Sequence, residues 1–206
     1  MNSTSLIRRP FTYRYYNATL ALIVVNVVVY LINYAAPITA GYLALSPRIV
    51  MNRGFFWQVV TYMFVHGGHW HILLNMLILF IFGMQLEQHM GSSEFLLFYL
   101  LTGTGVGLAY LLMGQNIILV GASGAIYAVM LAFATYFPNA RILVFFVLPM
   151  RAPVAVALFA GISLFSHLFG SRGGIAHLAH LIGIILGYFY FVVRLGINPI
   201  REFLGR

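Results

Sequence analysis

Residues 175–195 read IAHLAHLIGIILGYFYFVVRL, and Arg194 is the one charge in the stretch. As a helix the stretch would rise about 30 Å at 1.5 Å per residue, which matches the hydrocarbon thickness of a bilayer. Its two histidines, His177 and His180, lie near the start. Gly183 and Gly187 follow three and seven positions after His180 and so share its face. A segment this apolar does not suit the surface of a soluble domain. It reads as a membrane span with polar groups near one end and a small-residue face for a neighbouring helix.

Working outward, five more apolar runs have comparable character: Ala18–Tyr34, His71–Gln88, Phe95–Leu112, Ile117–Phe137 and Pro153–Phe169. With Ile175–Leu195 they make six expected spans. Ala35–Trp70 is too polar for a plain span but carries Leu45, Ile49, Phe55, Phe56 and Trp57, and is expected to be a long loop in the membrane interface. Ile142–Leu148, bounded by Arg141, Pro149 and Arg151, is too short to span and is expected to be an interfacial approach to the fifth helix. The expectation is an all-α membrane protein, a six-transmembrane-helix bundle forming a single domain over 1–206. It has a short cytoplasmic N-terminal segment, 1–16, and no separate soluble domain. Asn2–Tyr16 is polar and basic, so no cleavable signal is expected and the first span would serve as the insertion signal.

Composition agrees with this. Of 206 residues, 62% are hydrophobic and 7% charged, whereas a soluble domain carries about a quarter charged residues. The mean hydropathy is +0.96. The net charge of +8 comes from arginine alone, because the chain has no lysine. Arginines flanking apolar spans read as topology signals and anionic-lipid contacts, not as a nucleic-acid surface. With the N-terminus inside, Arg8, Arg9, Arg14, Arg141, Arg151, Arg194, Arg201 and Arg206 are cytoplasmic, against Arg48, Arg53 and Arg172 outside. The asymmetry favours both termini in the cytoplasm, in a cell (inner) membrane. Cysteine and aspartate are absent, and the only acidic residues are Glu87, Glu94 and Glu202. Paired aspartates, an aspartate-oriented histidine, a lysine base and a thiolate nucleophile are all excluded.

In that topology the second, fourth and sixth spans begin at the outer face. His71 and Asn75 open the second, Ser123 lies about a turn and a half into the fourth, and His180 lies at a similar depth in the sixth. Intramembrane polar groups are costly and point to function by default. Gly121-Ala122-Ser123-Gly124 leaves the hydroxyl open to close approach, and Gly124, Ala128 and Ala132 continue as a small-residue stripe that could meet Gly183 and Gly187. A serine hydroxyl needs a base to become a nucleophile, and histidine has the suitable unperturbed pKa. His177 is a rival to His180 as that base. His71 and Asn75, four apart, could donate to a developing oxyanion. His66, His69, His71, His177 and His180 also admit a metal or haem reading, but HExxH, aspartate and cysteine are missing. Gly103-Thr104-Gly105-Val106-Gly107 lies inside an apolar span, with no preceding strand to make it a phosphate loop.

The chain resembles the rhomboid intramembrane serine proteases over essentially its whole length. The resemblance is carried by His66 followed by His71-Ile72-Leu73-Leu74-Asn75, by Glu87, by Gly121-Ala122-Ser123-Gly124 with Tyr127, and by Ala179-His180-Leu181-Ile182-Gly183 with Gly187. It implies Ser123 as nucleophile and His180 as general base and acid. It also implies an oxyanion hole from His71, Asn75 and the Ser123 N–H, and Tyr127 packed on His180. The expected reaction is peptide hydrolysis through an acyl-enzyme, on transmembrane protein substrates, with no metal or organic cofactor. Trp57-Gln58 stands where the family commonly has Trp-Arg, a change that bears on hydrogen bonding in that loop. Competing readings are a non-proteolytic rhomboid-like protein that handles membrane clients, and a small transporter or haem-binding membrane protein.

Overall fold

The computed structural model describes residues 8, 11–114, 117–144, 147–169 and 174–205. Arg9, Arg172 and Arg206 of the arginine count lie outside the described residues, as do residues 1–7 of the N-terminal segment. Five helices are long and apolar enough to cross a membrane: α1 (Ala18–Ala35), α5 (His69–Met90), α6 (Ser92–Leu112), α8 (Ala152–Phe169) and α9 (Gly174–Tyr190, continued by a π turn at Phe191–Leu195). A sixth apolar helix, α7 (Ser123–Tyr136), has 14 residues and rises only about 21 Å. Short helices α2 (Ile38–Leu43), α3 (Pro47–Arg53) and α4 (Gln58–Thr61) lie between α1 and α5, and α10 (Pro199–Phe203) ends the described chain.

Three expectations are corrected here. The fourth helix starts at Ser123, not near Ile117, so Ser123 is its first residue and not a turn and a half inside. Leu119 is extended and exchanges backbone hydrogen bonds with Leu45 at 3.0 and 2.9 Å, and Gly121 then turns the chain at φ +108°. Hydropathy runs unbroken through Ile117–Val120 and cannot register that turn. The stretch after α7 is an antiparallel hairpin, β1 (Arg141–Val144) with β2 (Leu148–Arg151), in which Arg141 pairs with Arg151. Branched Ile142 and Val144 suit a strand, and Pro149 is tolerated in an edge strand. The long loop, finally, is not plain coil, since the three short helices supply about half of it.

The helices are arranged around α7. Nearly all of α7 is buried, from Gly124 to Thr135, whereas the longer helices expose large apolar side chains such as Val24, Leu31, Leu101, Leu108, Phe165 and Leu168. Burying α7 inside a ring whose outer face is greasy is the arrangement of a polytopic membrane protein. Hydrophobicity does not drive helices together in lipid, so close backbone contact must do so. It does at α7 and α9: a Cβ at Gly183 would lie 2.0 Å from the Gly124 carbonyl oxygen, and one at Gly187 would lie 3.1 Å from the Ala128 Cβ.

The end of the bundle away from Ser123 is fastened by two carboxylates. Asn17 makes no side-chain cap on α1. Glu87 of α5 caps it from outside the helix, accepting from the Ala18 and Thr19 N–H at 2.6 and 2.8 Å, and also from the Ser92 hydroxyl. Glu94 of α6 receives the Arg194 guanidinium through two 2.9 Å bonds, together with the Tyr190 hydroxyl. These anchors hold α1, α5, α6 and α9 in register at one end and leave the other end free for the polar groups.

Candidate active site

Ser123 sits at the N-terminus of α7, held by the turn before it. The Gly121 N–H donates to the Tyr62 carbonyl at 2.9 Å, and the Leu45–Leu119 pair ties the same stretch to the loop between α2 and α3. The first bond of the helical ladder runs from Ile126 N–H to Ala122 O at 3.0 Å. The N–H groups of Ser123, Gly124 and Ala125 therefore stand outside that ladder, at the positive end of the helix.

His180 reaches Ser123 from α9. Its Nε2 lies 2.8 Å from Ser123 Oγ, a full hydrogen bond. The approach depends on the Gly124–Gly183 contact, because any side chain at Gly183 would push the two helices apart. Tyr127, one turn after Ser123 on the same face of α7, stacks on the imidazole with centroids 4.2 Å apart and planes 8° apart. His177 meets the His180 ring edge-on at 5.7 Å. Of the two histidines it is His180 whose nitrogen faces the hydroxyl. Ser123, Tyr127 and His180 are each half-buried, so the pair is neither sealed in the core nor laid bare.

His71, in the first turn of α5, packs over the turn that precedes Ser123. A Cβ at Gly121 would lie 2.7 Å from His71 Nε2, so only glycine fits beneath the ring. The Gly67 N–H points at His71 Nδ1 across 3.4 Å. That contact favours the tautomer with its hydrogen on Nε2, the nitrogen turned toward the Gly121 turn. Asn75 donates one amide hydrogen to the His71 carbonyl at 2.9 Å, which leaves the other free. His66 supports the His71 ring edge-on at 5.0 Å. Burial, added to by neighbouring His71, pushes His66 down to about 4, so its ring is neutral at physiological pH. His69 is elsewhere, with Nδ1 at 2.7 Å from the Tyr30 hydroxyl. Among the described residues no three His or Glu side chains converge as metal ligands would.

Two local features lie outside the motifs. Gln58, in place of the arginine common in the resembled family, is fully buried. It accepts from Ser46 N–H at 3.0 Å and donates to Gly41 O at 3.1 Å, while Trp57 Nε1 donates to Tyr42 O at 2.8 Å. The amide thus ties the α2–α4 loop together without a charge. Ser163 of α8 is the second feature. It is buried, donates to Tyr127 Oη at 3.2 Å, and has its Oγ 3.5 Å from His180 Nδ1. The one signal of it in the sequence was a hydroxyl in a largely apolar span, which also carries Ser166 and His167.

Comparison with known proteins identifies the family. The family model described as "Rhomboid domain" matches residues 53–196, a range that holds every residue of the site. "Rhomboid-related protein 1" of Caenorhabditis elegans is 32% identical over 170 residues, covering 79% of this chain and 45% of its own length. "Rhomboid protein 1, mitochondrial" of Saccharomyces cerevisiae is 32% identical over 140 residues, covering 65% and 40%. "RHOMBOID-like protein 1" of Arabidopsis thaliana is 31% identical over 141 residues, covering 64% and 36%. The chain thus spans less than half the length of these relatives. On the domain match and the fold together, this chain belongs to the rhomboid family.

Proposed function

We propose that this rhomboid family member is an intramembrane serine protease that cleaves transmembrane proteins with Ser123 as nucleophile and His180 as general base and acid. The observation that carries the reading is the 2.8 Å separation of His180 Nε2 and Ser123 Oγ at the point where two helices meet through glycine. As Oγ bonds to the substrate carbonyl carbon, its proton passes to Nε2. The carbonyl oxygen, now negative, is held by the Ser123 N–H, the His71 Nε2–H and the free Asn75 amide hydrogen, donors of the kind that stabilise such an oxyanion. Collapse of this intermediate breaks the C–N bond, and His180 returns the proton to the leaving amine. A water, deprotonated by His180, then attacks the acyl-enzyme; the acid leaves and Ser123 regains its hydrogen.

The short α7 supports the membrane setting. Beginning below the extended Leu119–Gly121 stretch, it sets the hydroxyl beneath the bundle rim, where a half-buried site can still be wet. A helical peptide bond is shielded by its own hydrogen bonds, so the favoured substrates are spans with helix-weakening residues near the same face. On the arginine asymmetry that face is the outer one, and both termini are cytoplasmic.

The test is cleavage of a transmembrane substrate in liposomes, together with labelling by a fluorophosphonate probe. Wild type is expected to cleave and to be labelled at Ser123. Ser123→Ala and His180→Ala are each expected to lose at least about 10³-fold in turnover while keeping the wild-type unfolding temperature. Full activity in either folded variant sinks the role given to that residue. A wild type that binds membrane clients without cleaving or labelling favours a client-handling protein instead.

A further inference from the structure

Ser163 has no part in the dyad as the family resemblance implies it, yet its surroundings differ from those of Thr102 and Thr135, two other buried hydroxyls on the membrane helices. Thr102 and Thr135 satisfy themselves within their own helices, donating to the carbonyls of Phe98 and Leu131 at 2.8 Å. That back-bond is the usual recourse of a hydroxyl in an apolar span. Ser163, fully buried on α8, instead reaches two neighbouring helices: Tyr127 Oη on α7 at 3.2 Å and His180 Nδ1 on α9 at 3.5 Å.

We infer that Ser163 is a positioning residue for the dyad: its hydroxyl donates to Tyr127 and accepts the Nδ1–H of His180, fixing the tautomer that turns a bare Nε2 toward Ser123. The inference rests on the proteolytic reading and deepens it. A serine hydroxyl carries one hydrogen, and the geometry directs it to Tyr127. What faces His180 Nδ1 is then a lone pair, which favours the imidazole with its hydrogen on that nitrogen. A neutral ring has only one such hydrogen, so Nε2 is left free to accept the proton of Ser123. With the hydrogen of Ser163 turned toward Nδ1, the ring would carry its own on Nε2 and could take nothing from Ser123. When His180 gains the proton, Nδ1–H keeps the same partner, and nothing need reorganise.

The arrangement gives this chain a third group without a carboxylate. It has no aspartate, and Glu87 and Glu94 are occupied at the opposite end of the bundle. Among the described residues, the titratable groups around the His180 ring are His177 on its own helix, Tyr127 stacked from α7, and His71 from α5. Tyr127 restrains the ring plane, and Ser163 restrains rotation within that plane.

The experiment uses the full chain in liposomes. It compares wild type, Ser163→Ala, Ser163→Thr and Tyr127→Phe by fluorophosphonate acylation of Ser123, by kcat and KM for a transmembrane substrate across pH, and by thermal unfolding. Losing one neutral hydrogen bond to the base should lower kcat and the acylation rate about three- to tenfold. KM and the unfolding temperature should stay near wild type, and threonine should restore most of the loss. Nitrogen-15 spectra of histidine-labelled wild type at pH 8, with His180 assigned through His180→Ala, should show Nδ1 protonated and Nε2 bare. Wild-type acylation in Ser163→Ala, a loss confined to KM or to unfolding, or a protonated Nε2 in wild type overturns the inference. Should Ser163→Ala not fold, the wild-type tautomer decides alone. Failure of wild type to acylate overturns the proteolytic reading, whereas acylation indifferent to Ser163→Ala overturns only the part given to Ser163.

Discussion

Gly121 joins backbone shape and side-chain chemistry in one position. Its φ of +108° lies where a Cβ is strained, and the space a Cβ would take is filled by His71, 2.7 Å away. Gly121→Ala should therefore cost about 1–3 kcal/mol of stability through strain. It should cost acylation of Ser123 more than that, because relief of the clash moves His71 off the turn or rotates the Ser123 N–H. The comparison is with Gly41→Ala, where a Cβ meets open space and neither quantity should change. Acylation that falls only in step with stability would mean that His71 and the turn are not coupled. At this scale the sequence singles out Ser123, His180, His71 and Asn75 because they fall in motifs, and the fold brings Ser123 to His180 and His71 to the turn before Ser123. Ser163 did not, because nothing along a single helix reveals which hydroxyl will face a neighbour's imidazole.

At the scale of elements, α1 depends on another helix for its start. Two N–H groups at its N-terminus are satisfied by Glu87 of α5, and the Ser92 hydroxyl bonds to the same carboxylate. Hydrogen bonds to a charged acceptor contribute about 1.5–3 kcal/mol, and a negative group suits the positive end of a helix. Glu87→Gln keeps one acceptor oxygen and turns an amide donor toward another donor. It should lower stability by about 2–4 kcal/mol, read as a drop in unfolding temperature in detergent, with the intrinsic acylation rate of the folded fraction unchanged. An unaltered unfolding temperature would show that α1 docks without this cap. Helix positions were legible because apolar runs of span length leave little choice, and α1, α6 and α8 start or stop within a few residues of the expected bounds. The start of α7 was not legible, since Ile117–Val120 is as apolar as a helix while its backbone pairs with Leu45. The hairpin at Arg141–Arg151 was missed for a related reason: strand pairing is a contact between segments, and hydropathy reports each segment alone.

Across the whole molecule, most of the described arginines and the candidate chemistry fall at opposite ends, with Arg48 and Arg53 of α3 the exceptions. Arg14, Arg194, Arg201 and the Arg141–Arg151 hairpin share the end fastened by Glu87 and Glu94, whereas Ser123, His180, His71 and the α2–α4 loop share the other. The positive-inside tendency places the arginine-rich end in the cytoplasm, so the nucleophile would open to the outside and meet substrates there. Because the chain has no cysteine, single substitutions can report the orientation directly. Asn52→Cys, exposed on α3, should react with a membrane-impermeant maleimide in intact cells. Glu202→Cys, exposed on α10, should react only after permeabilisation. The opposite pattern would invert the bundle and set Ser123 toward the cytoplasm. The geometry of the dyad would survive that result, since it depends on α7 and α9 touching through Gly124 and Gly183. The set of peptide bonds within its reach would not, because the exposed ends of the substrate spans would then be those on the cytoplasmic side.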